Sequence, residues 1–237
     1  LTNKPHNWIE YWDTQNISDE SEVMLEMQSF IKAAEPVLHF APQDKVLDIG
    51  CGTGTLESCL KSRVKELHGV DTSIQCIESC RKKFTQDQNC HFYSLDLKDY
   101  TNLSCLESKG FTIAICLSVI QYYQTIDDVM KLISEVRKVM APGGRFLISD
   151  IYTKTSTLAD VRALLKAGLR EHRLLKTIVF LIRARFSEYS KLRSSLGLLV
   201  LSKKEIMDII DRLGLDGEML TTKLTRMESR SHLLIRF

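Results

Sequence analysis

From residue 45 to residue 150 the chain repeats one unit: a short apolar run, a turn, and a segment whose apolar residues recur three and four apart. The runs are KVLDI (45–49), VKELHGV (64–70), CHFYSL (90–95), FTIAIC (111–116) and GRFLISD (144–150). They read as nearly continuous apolar stretches, the pattern of strands in a parallel sheet with both faces covered. Helical periodicity fills the gaps at Thr55 to about Ser62, Ser73 to Phe84 and Asp127 to Met140, the last carrying Val129, Leu132, Ile133, Val136 and Val139 on one face. Alternation of this kind leaves few topologies open, and a doubly wound α/β sheet is expected.

Both flanks depart from that rhythm. Ahead of it, Glu20 to about Val37 has the spacing of an amphipathic helix, with Asp19 and Glu22 placed as a capping box, so residues 1–40 are expected to form an N-terminal helical cover. Beyond Asp150, residues 156–196 read as mainly helical, and 154–197 is expected to be a helical lid insertion. Within it KTIVFLI (176–182) fits a strand or a buried helix equally well. LSKKEIMDIIDRLG (201–214) then predicts a helix capped by Ser202 with Glu205 three residues on, stopped at Gly214. Two candidate strands, 218–224 and 231–236, are too close together for a parallel crossover and predict an antiparallel hairpin. With 237 residues, 44% of them hydrophobic, one core and a single domain over 1–237 are expected.

Charge adds a local signal only. Lys and Arg number 32 against 30 acids, a net +2 that argues for no polyanionic partner, yet residues 161–193 hold nine basic side chains and only Glu171 and Glu188 in opposition. The seven cysteines are scattered without a CxxC pair or disulfide framework, so reduced thiols and no metal site are expected. No apolar run is long enough to span a bilayer and LTNKPHNWIEYW has no secretory pattern, which predicts a cytoplasmic protein.

The densest chemical signal is LDIGCGTG, Leu47 to Gly54. Its glycines 50, 52 and 54 fall where a strand gives way to a helix, the end of a parallel sheet at which ligands bind. A dinucleotide fingerprint would place its third glycine three beyond the second, where this chain has Thr55. Asp71 closes the second run and is placed to accept both hydroxyls of a ribose; Asp96 closes the third, within reach of an adenine amino group with Leu97 beside the ring. Asp48 lies inside the first strand, where a charge has to find backbone or ligand donors.

LDIGCGTG, then GVD (69–71), SLD (94–96), FTIAICLSVIQYY (111–123) and VMAPGGRFLISD (139–150) together resemble the class I S-adenosylmethionine-dependent methyltransferase family, in its motif order. The resemblance implies a seven-stranded, mostly parallel sheet of order 3-2-1-4-5-7-6 with the last strand antiparallel, and S-adenosylmethionine lying across strands one to four. By position it implies that Asp48, Gly50, Cys51, Gly52 and Gly54 surround the methionine portion, that Asp71 and Thr72 take the ribose, that Asp96 and Leu97 take the adenine, and that Leu117 and Ser118 lie near the sulfonium. WIEYW (8–12) resembles the aromatic pair of small-molecule members, with Tyr11 over the methionine end, or else Trp8 and Trp12 simply anchor the segment. Thr112 departs from the aspartate many members carry there.

Methyl transfer from a sulfonium is an in-line displacement, so positioning dominates and a base is needed only by a hydroxyl acceptor. Tyr122, Asp150 and His172 are the candidate catalytic groups, with Tyr123 and Tyr152 in plausible reach. The apolar, basic lid fits a small organic substrate, aromatic, acyl or bound to an acidic carrier protein, and it fits a homodimer contact as well. RNA methylation is the lesser alternative, since no RNA-binding appendage accompanies the basic segment, and protein or lipid methylation is the other.

Overall fold

The computed structural model describes residues 7–14, 20–107, 109–153, 157–170, 172, 174–227 and 229–237. Its strands are β1 (Lys45–Ile49), β2 (Glu66–Asp71), β3 (Cys90–Ser94), β4 (Phe111–Leu117), β5 (Met140–Ile151), β6 (Asp216–Met219) and β7 (Ser231–Arg236). They form one sheet of order β3-β2-β1-β4-β5-β7-β6. β1 to β5 pair in parallel and β7 runs antiparallel to both β5 and β6, the expected doubly wound order. The helices are α1 (Trp8–Thr14), α2 (Glu20–Leu38), α3 (Thr55–Leu60), α4 (Ile74–Lys83), α5 (Ile126–Val139), α6 (Thr157–Arg170), α7 (Leu174–Phe186), α8 (Glu188–Leu196) and α9 (Lys203–Leu213).

The unbroken apolar strands are explained by what covers each face. Along β4, Ile113 and Ile115 join a layer with Phe30, Ile31 and Leu38 of α2 and Leu56 and Leu60 of α3. Ala114 and Cys116 point the other way, into a layer with Leu132, Ile133 and Val136 of α5 and Ile206 and Ile209 of α9. Local sequence sets the ends of these helices. Thr125 and Asp128 cap α5 reciprocally, as Ser202 and Glu205 cap α9, and Gly214 ends α9 in the left-handed conformation.

Several boundaries shift from the sequence reading. β6 is Asp216–Met219 instead of 218–224: the ladder closes where Leu220 donates to the His232 carbonyl, and the chain then turns so that Leu224 is buried against the α2 layer. β5 begins at Met140, which pairs with Phe111 before the register shifts, so Pro142–Gly144 belongs to an irregular start of the strand and not to a separate turn. KTIVFLI lies in α7. The run continues a helical spacing from Leu174, and the helix approaches α6 at Thr177, where a Cβ on Gly168 would come 2.3 Å from Thr177 Oγ1. The Asp19 end of the proposed capping box lies outside the described residues.

Sheet order reverses between β1 and β4, whose carboxyl ends diverge to their helices on opposite sides and leave a crevice. Phe146 of β5 is fully buried in the α5/α9 layer beneath it. Phe146→Ala should therefore cost about 3–5 kcal/mol of unfolding free energy, read from chemical denaturation. A loss below about 1 kcal/mol would mean that this layer is not close-packed.

Candidate active site

At the end of β1 the chain reverses through Gly50–Gly54 into α3, and the turn is fastened to β2. The amides of Gly50 and Cys51 both donate to the Val70 carbonyl, at 2.8 and 3.1 Å. The Gly52 amide donates to Asp71 Oδ2 at 2.9 Å, while Asp71 Oδ1 accepts from the Ser73 amide, also at 2.9 Å. Gly50 has φ +76°, and a Cβ there would lie 2.3 Å from Val119 Cγ2, so both conformation and space demand glycine. Gly52, at φ +52°, differs: a Cβ would meet nothing within 4 Å, because this side of the turn is open.

Two further carboxyls lie under the turn. Asp48 is buried in β1, and desolvation, helped by Glu57 and Asp71, raises its pKa well above the ordinary value. Glu57 of α3 is fully buried, neither of its oxygens has a hydrogen-bond partner among the described residues, and burial pushes it up to about 8. Its space is kept by Gly69, where a Cβ would come 2.6 Å from Glu57 Oε1. Cys80 donates from its thiol to the Gly52 carbonyl at 3.2 Å, and Cys51 is pushed well up in pKa by its hydrogen bond to Cys80 and then by burial. The Cys51 thiol is thus held in the neutral form, unlike a reactive cysteine.

Above the turn lies a cavity of about 280 Å³. Gly50, Gly52, Asp71 and Thr72 supply its polar part; Cys76, Leu95 and Tyr100 line it on the β3 side, and Leu117, Ser118 and Val119 on the β4 side. Trp8, Trp12, Tyr122 and Tyr123 add aromatic walls. Trp8 packs on Tyr122 with ring centroids 5.0 Å apart and on Tyr189 of α8 at 5.2 Å, and its indole N–H donates to the Gly197 carbonyl at 3.1 Å. Trp12 meets Tyr122 edge-on at 5.4 Å. Burial raises the Tyr122 pKa far above that of a free phenol, so this hydroxyl, 3.5 Å from that of Tyr189, stays protonated and is suited to donating a hydrogen bond.

Ser118 and Asp150, at the ends of β4 and β5, both have positive φ (+58° and +63°), and the Ser118 hydroxyl donates to Asp150 Oδ2 at 2.7 Å. Arg230 Nε approaches Asp150 Oδ1 at 3.3 Å while its guanidinium lies 3.3 Å over the Tyr152 ring. A buried imidazole, His232, contacts the Ser149 hydroxyl at 2.7 Å and the Asp150 amide at 3.3 Å, and burial lowers its pKa to about 4, so it is neutral.

Residues 41–212 match the family model described as methyltransferase domain. The chain belongs to this methyltransferase family. It is similar to chondramide synthase of Chondromyces crocatus, 29% identical over 154 residues, which is 62% of this chain and 4% of that protein. To the putative methyltransferase YqeM of Bacillus subtilis it is 24% identical over 140 residues, 53% of this chain and 55% of that one. The chain thus spans about half, or a small fraction, of the length of these curated relatives. Its fold is similar to that of the N-methyltransferase NodS from Bradyrhizobium japonicum, solved in complex with S-adenosyl-L-homocysteine, with a TM-score of 0.57 at 15% identity over 97% of this chain and 95% of that one.

Of the residues singled out from sequence, the methyltransferase fold brings Gly50, Gly52, Asp71, Thr72, Leu117, Ser118 and Tyr122 onto one cavity. Asp48, Cys51 and Gly54 are buried in or under the turn and do not line it. Tyr11 does not line it either: it is buried among Trp8, Tyr189 and Leu192, and Trp8 and Trp12, one helical turn apart, face the cavity instead. Asp96 and Leu97 are exposed beyond β3, with an Asp96 oxygen accepting from the Lys98 amide, and Leu95 and Tyr100 take the wall. Asp150 reaches the cavity only through Ser118, and His172 is exposed in the turn between α6 and α7. Glu57 and Arg230 belong to no motif that the sequence marks. Glu57 three residues before Leu60 on the inner face of a short helix was a legible signal, whereas nothing local marks Arg230.

Glu57 gives a test of the buried acids. Its pKa is 4.5 when exposed and about 8 when folded, so the folded chain holds more protons across that window and stability falls as pH rises through it. Glu57→Gln removes the proton uptake. The melting temperature of the variant relative to the parent should therefore climb between pH 4.5 and about pH 8 and level off above. A difference independent of pH would mean that Glu57 is ionised in the fold.

Proposed function

We propose that this methyltransferase uses S-adenosylmethionine to methylate a nucleophilic O, N or C atom of a small organic molecule with an aromatic or acyl body. The observation that carries the reading is a single cavity shared by the open face of Gly52, the Asp71 carboxylate and a wall of tryptophan and tyrosine. The residues fit the cofactor. The missing side chain at Gly52 leaves room against the backbone, Asp71 offers a charged acceptor for ribose hydroxyls, and Leu95 with Tyr100 offers apolar surface for a purine. When bound, the cofactor supplies an electrophilic methyl group on a sulfonium.

The chain's own work is positional. Gly50 and Gly52 hold the backbone close to the ligand, with Asp71 fixed by the Gly52 and Ser73 amides so that its orientation costs little on binding. Trp8, Trp12 and Tyr122 exclude water and present π faces that tolerate a cation. Tyr122 orients the acceptor by donating a hydrogen bond, since its phenol is held protonated. Asp150, whose Oδ2 accepts from the Ser118 hydroxyl, positions Ser118. Among the described residues that line the cavity, Asp71 is the one carboxylate and there is no histidine, which favours an acceptor nucleophilic without a base, such as an amine, an activated carbon or a phenolate. Among the described residues no basic side chain lines the cavity, which fits an uncharged small molecule better than a nucleic acid backbone.

Isothermal titration of the purified chain with S-adenosylmethionine and S-adenosylhomocysteine should give one site for each. Asp71→Asn, which keeps an oxygen for the Gly52 amide but loses the acceptor for the Ser73 amide, should weaken both by about 10- to 100-fold, the loss of one or two charge-assisted hydrogen bonds, in a chain still folded by circular dichroism. Absence of binding to the folded parent would reject the proposal, and an unchanged affinity in the variant would remove Asp71 from the site.

A further inference from the structure

The helix pair α6 and α7 leaves an apolar surface without a partner among the described residues. On α7, Leu175, Ile178, Val179 and Ile182 are exposed at 80, 38, 47 and 56%, and Leu169 at the end of α6 is exposed at 63%. Offsets of three, four and seven put the four α7 residues on one stripe, turned away from Leu174, Thr177 and Leu181, which are half-buried on the α6 side. The basic residues have a pattern too. By helical position Lys176 and Arg183 border the stripe on one side and Arg185 borders it on the other, roughly a quarter turn away. Arg162, Lys166 and Arg170 follow one another at four-residue steps along α6 and all are exposed. From 157 to 186 seven basic residues stand against Asp160 and Glu171.

We propose that this face, the outer stripe of α7 with the end of α6, docks the protein on the surface of an anionic phospholipid bilayer. An apolar stripe with cations on both edges matches the boundary between acyl chains and headgroups: the stripe enters the hydrocarbon while long basic side chains remain at the phosphates. No described helix is long and apolar enough to cross a membrane, so the contact lies in the plane of the surface. A second copy of the chain fits less well. In a two-fold contact each stripe would meet its own image and bring the basic edges together. An acidic carrier protein would satisfy the charges but would need a groove matched to an apolar ridge, which a fluid bilayer supplies without one. The surface stands apart from the methyl-transfer reading, and the two are linked only in that α7 leads directly into α8, whose Tyr189 packs on Trp8 and Tyr122 at the cavity wall.

The test is co-sedimentation of the whole chain with phosphatidylcholine vesicles with and without phosphatidylglycerol. Binding to the anionic vesicles should be at least about 10-fold stronger at low salt and should fall as salt is raised, as expected for several basic residues near a charged surface. Leu175→Asp with Ile182→Asp should abolish it while circular dichroism and melting temperature stay unchanged, because both residues are solvent-exposed. Lys176→Gln with Arg183→Gln and Arg185→Gln, which spares the apolar stripe, should remove the anionic preference. The proposal is overturned if the folded parent binds neither vesicle. It is equally overturned if the aspartate pair leaves vesicle binding intact, or if light scattering reveals a dimer that the aspartate pair dissolves while the parent ignores vesicles. Cofactor titration on the same samples is expected to be unaltered by either set of substitutions, so a failure here is separable from a failure of the methyl-transfer reading.

Discussion

The hydrogen bond from the Gly52 amide to the Asp71 carboxylate joins the two strand ends on which the whole site is built. β1 and β2 are parallel neighbours with Ile49 opposite Val70, so the glycine turn and the acid emerge side by side. A parallel pair sends both carboxyl ends to the same edge of the sheet, and the bond converts that proximity into a fixed geometry. An ionised acceptor makes such a bond stronger than a neutral one, and it leaves the turn little freedom to collapse into the crevice above.

Beneath that bond the protein tolerates costly chemistry. Asp48 and Glu57 are buried, and their raised pKa values record how strongly the low-dielectric surroundings disfavour two more negative charges near Asp71. Negative charge is thus disfavoured beneath the turn, at Asp48 and Glu57. A parallel case stands across the crevice, where Ser118 and Asp150 both adopt positive φ without being glycine. Each such residue costs on the order of 1–3 kcal/mol, offset here by their mutual hydrogen bond and by the approach of Arg230. Strain of this kind at two adjacent strand ends places a hydroxyl on the cavity wall that an ordinary strand exit would turn aside.

The aromatic group above the crevice gathers residues remote in sequence. Trp8 comes from α1, Tyr122 from the short helical turn after β4, and Tyr189 from α8. The segment that supplies Tyr189 follows the helix with the exposed apolar stripe, so the ring that backs Trp8 and Tyr122 and that stripe belong to one stretch of chain.

The sequence determined what periodicity and local chemistry can carry. Unbroken apolar runs between helical segments specify a parallel sheet covered on both faces, and glycines at a strand-to-helix junction followed by an acid at the next strand end locate the crevice, because both signals depend on residues close together in the chain. Only the tertiary structure decided which neighbours face inward there. Trp8 and Trp12 displaced Tyr11 because helical rotation, not residue type, sets the face presented; Asp96 and Leu97 fell outside because the chain bends away after Leu95; and Arg230 meets Asp150 across 80 residues of sequence, a contact that no local pattern encodes. The strand bounds that differ most from the sequence pattern, those of β5 and β6, are settled by pairing with β4 and β7. Hydrogen bonds between strands, unlike hydrophobic periodicity, are properties of the partner as much as of the segment itself.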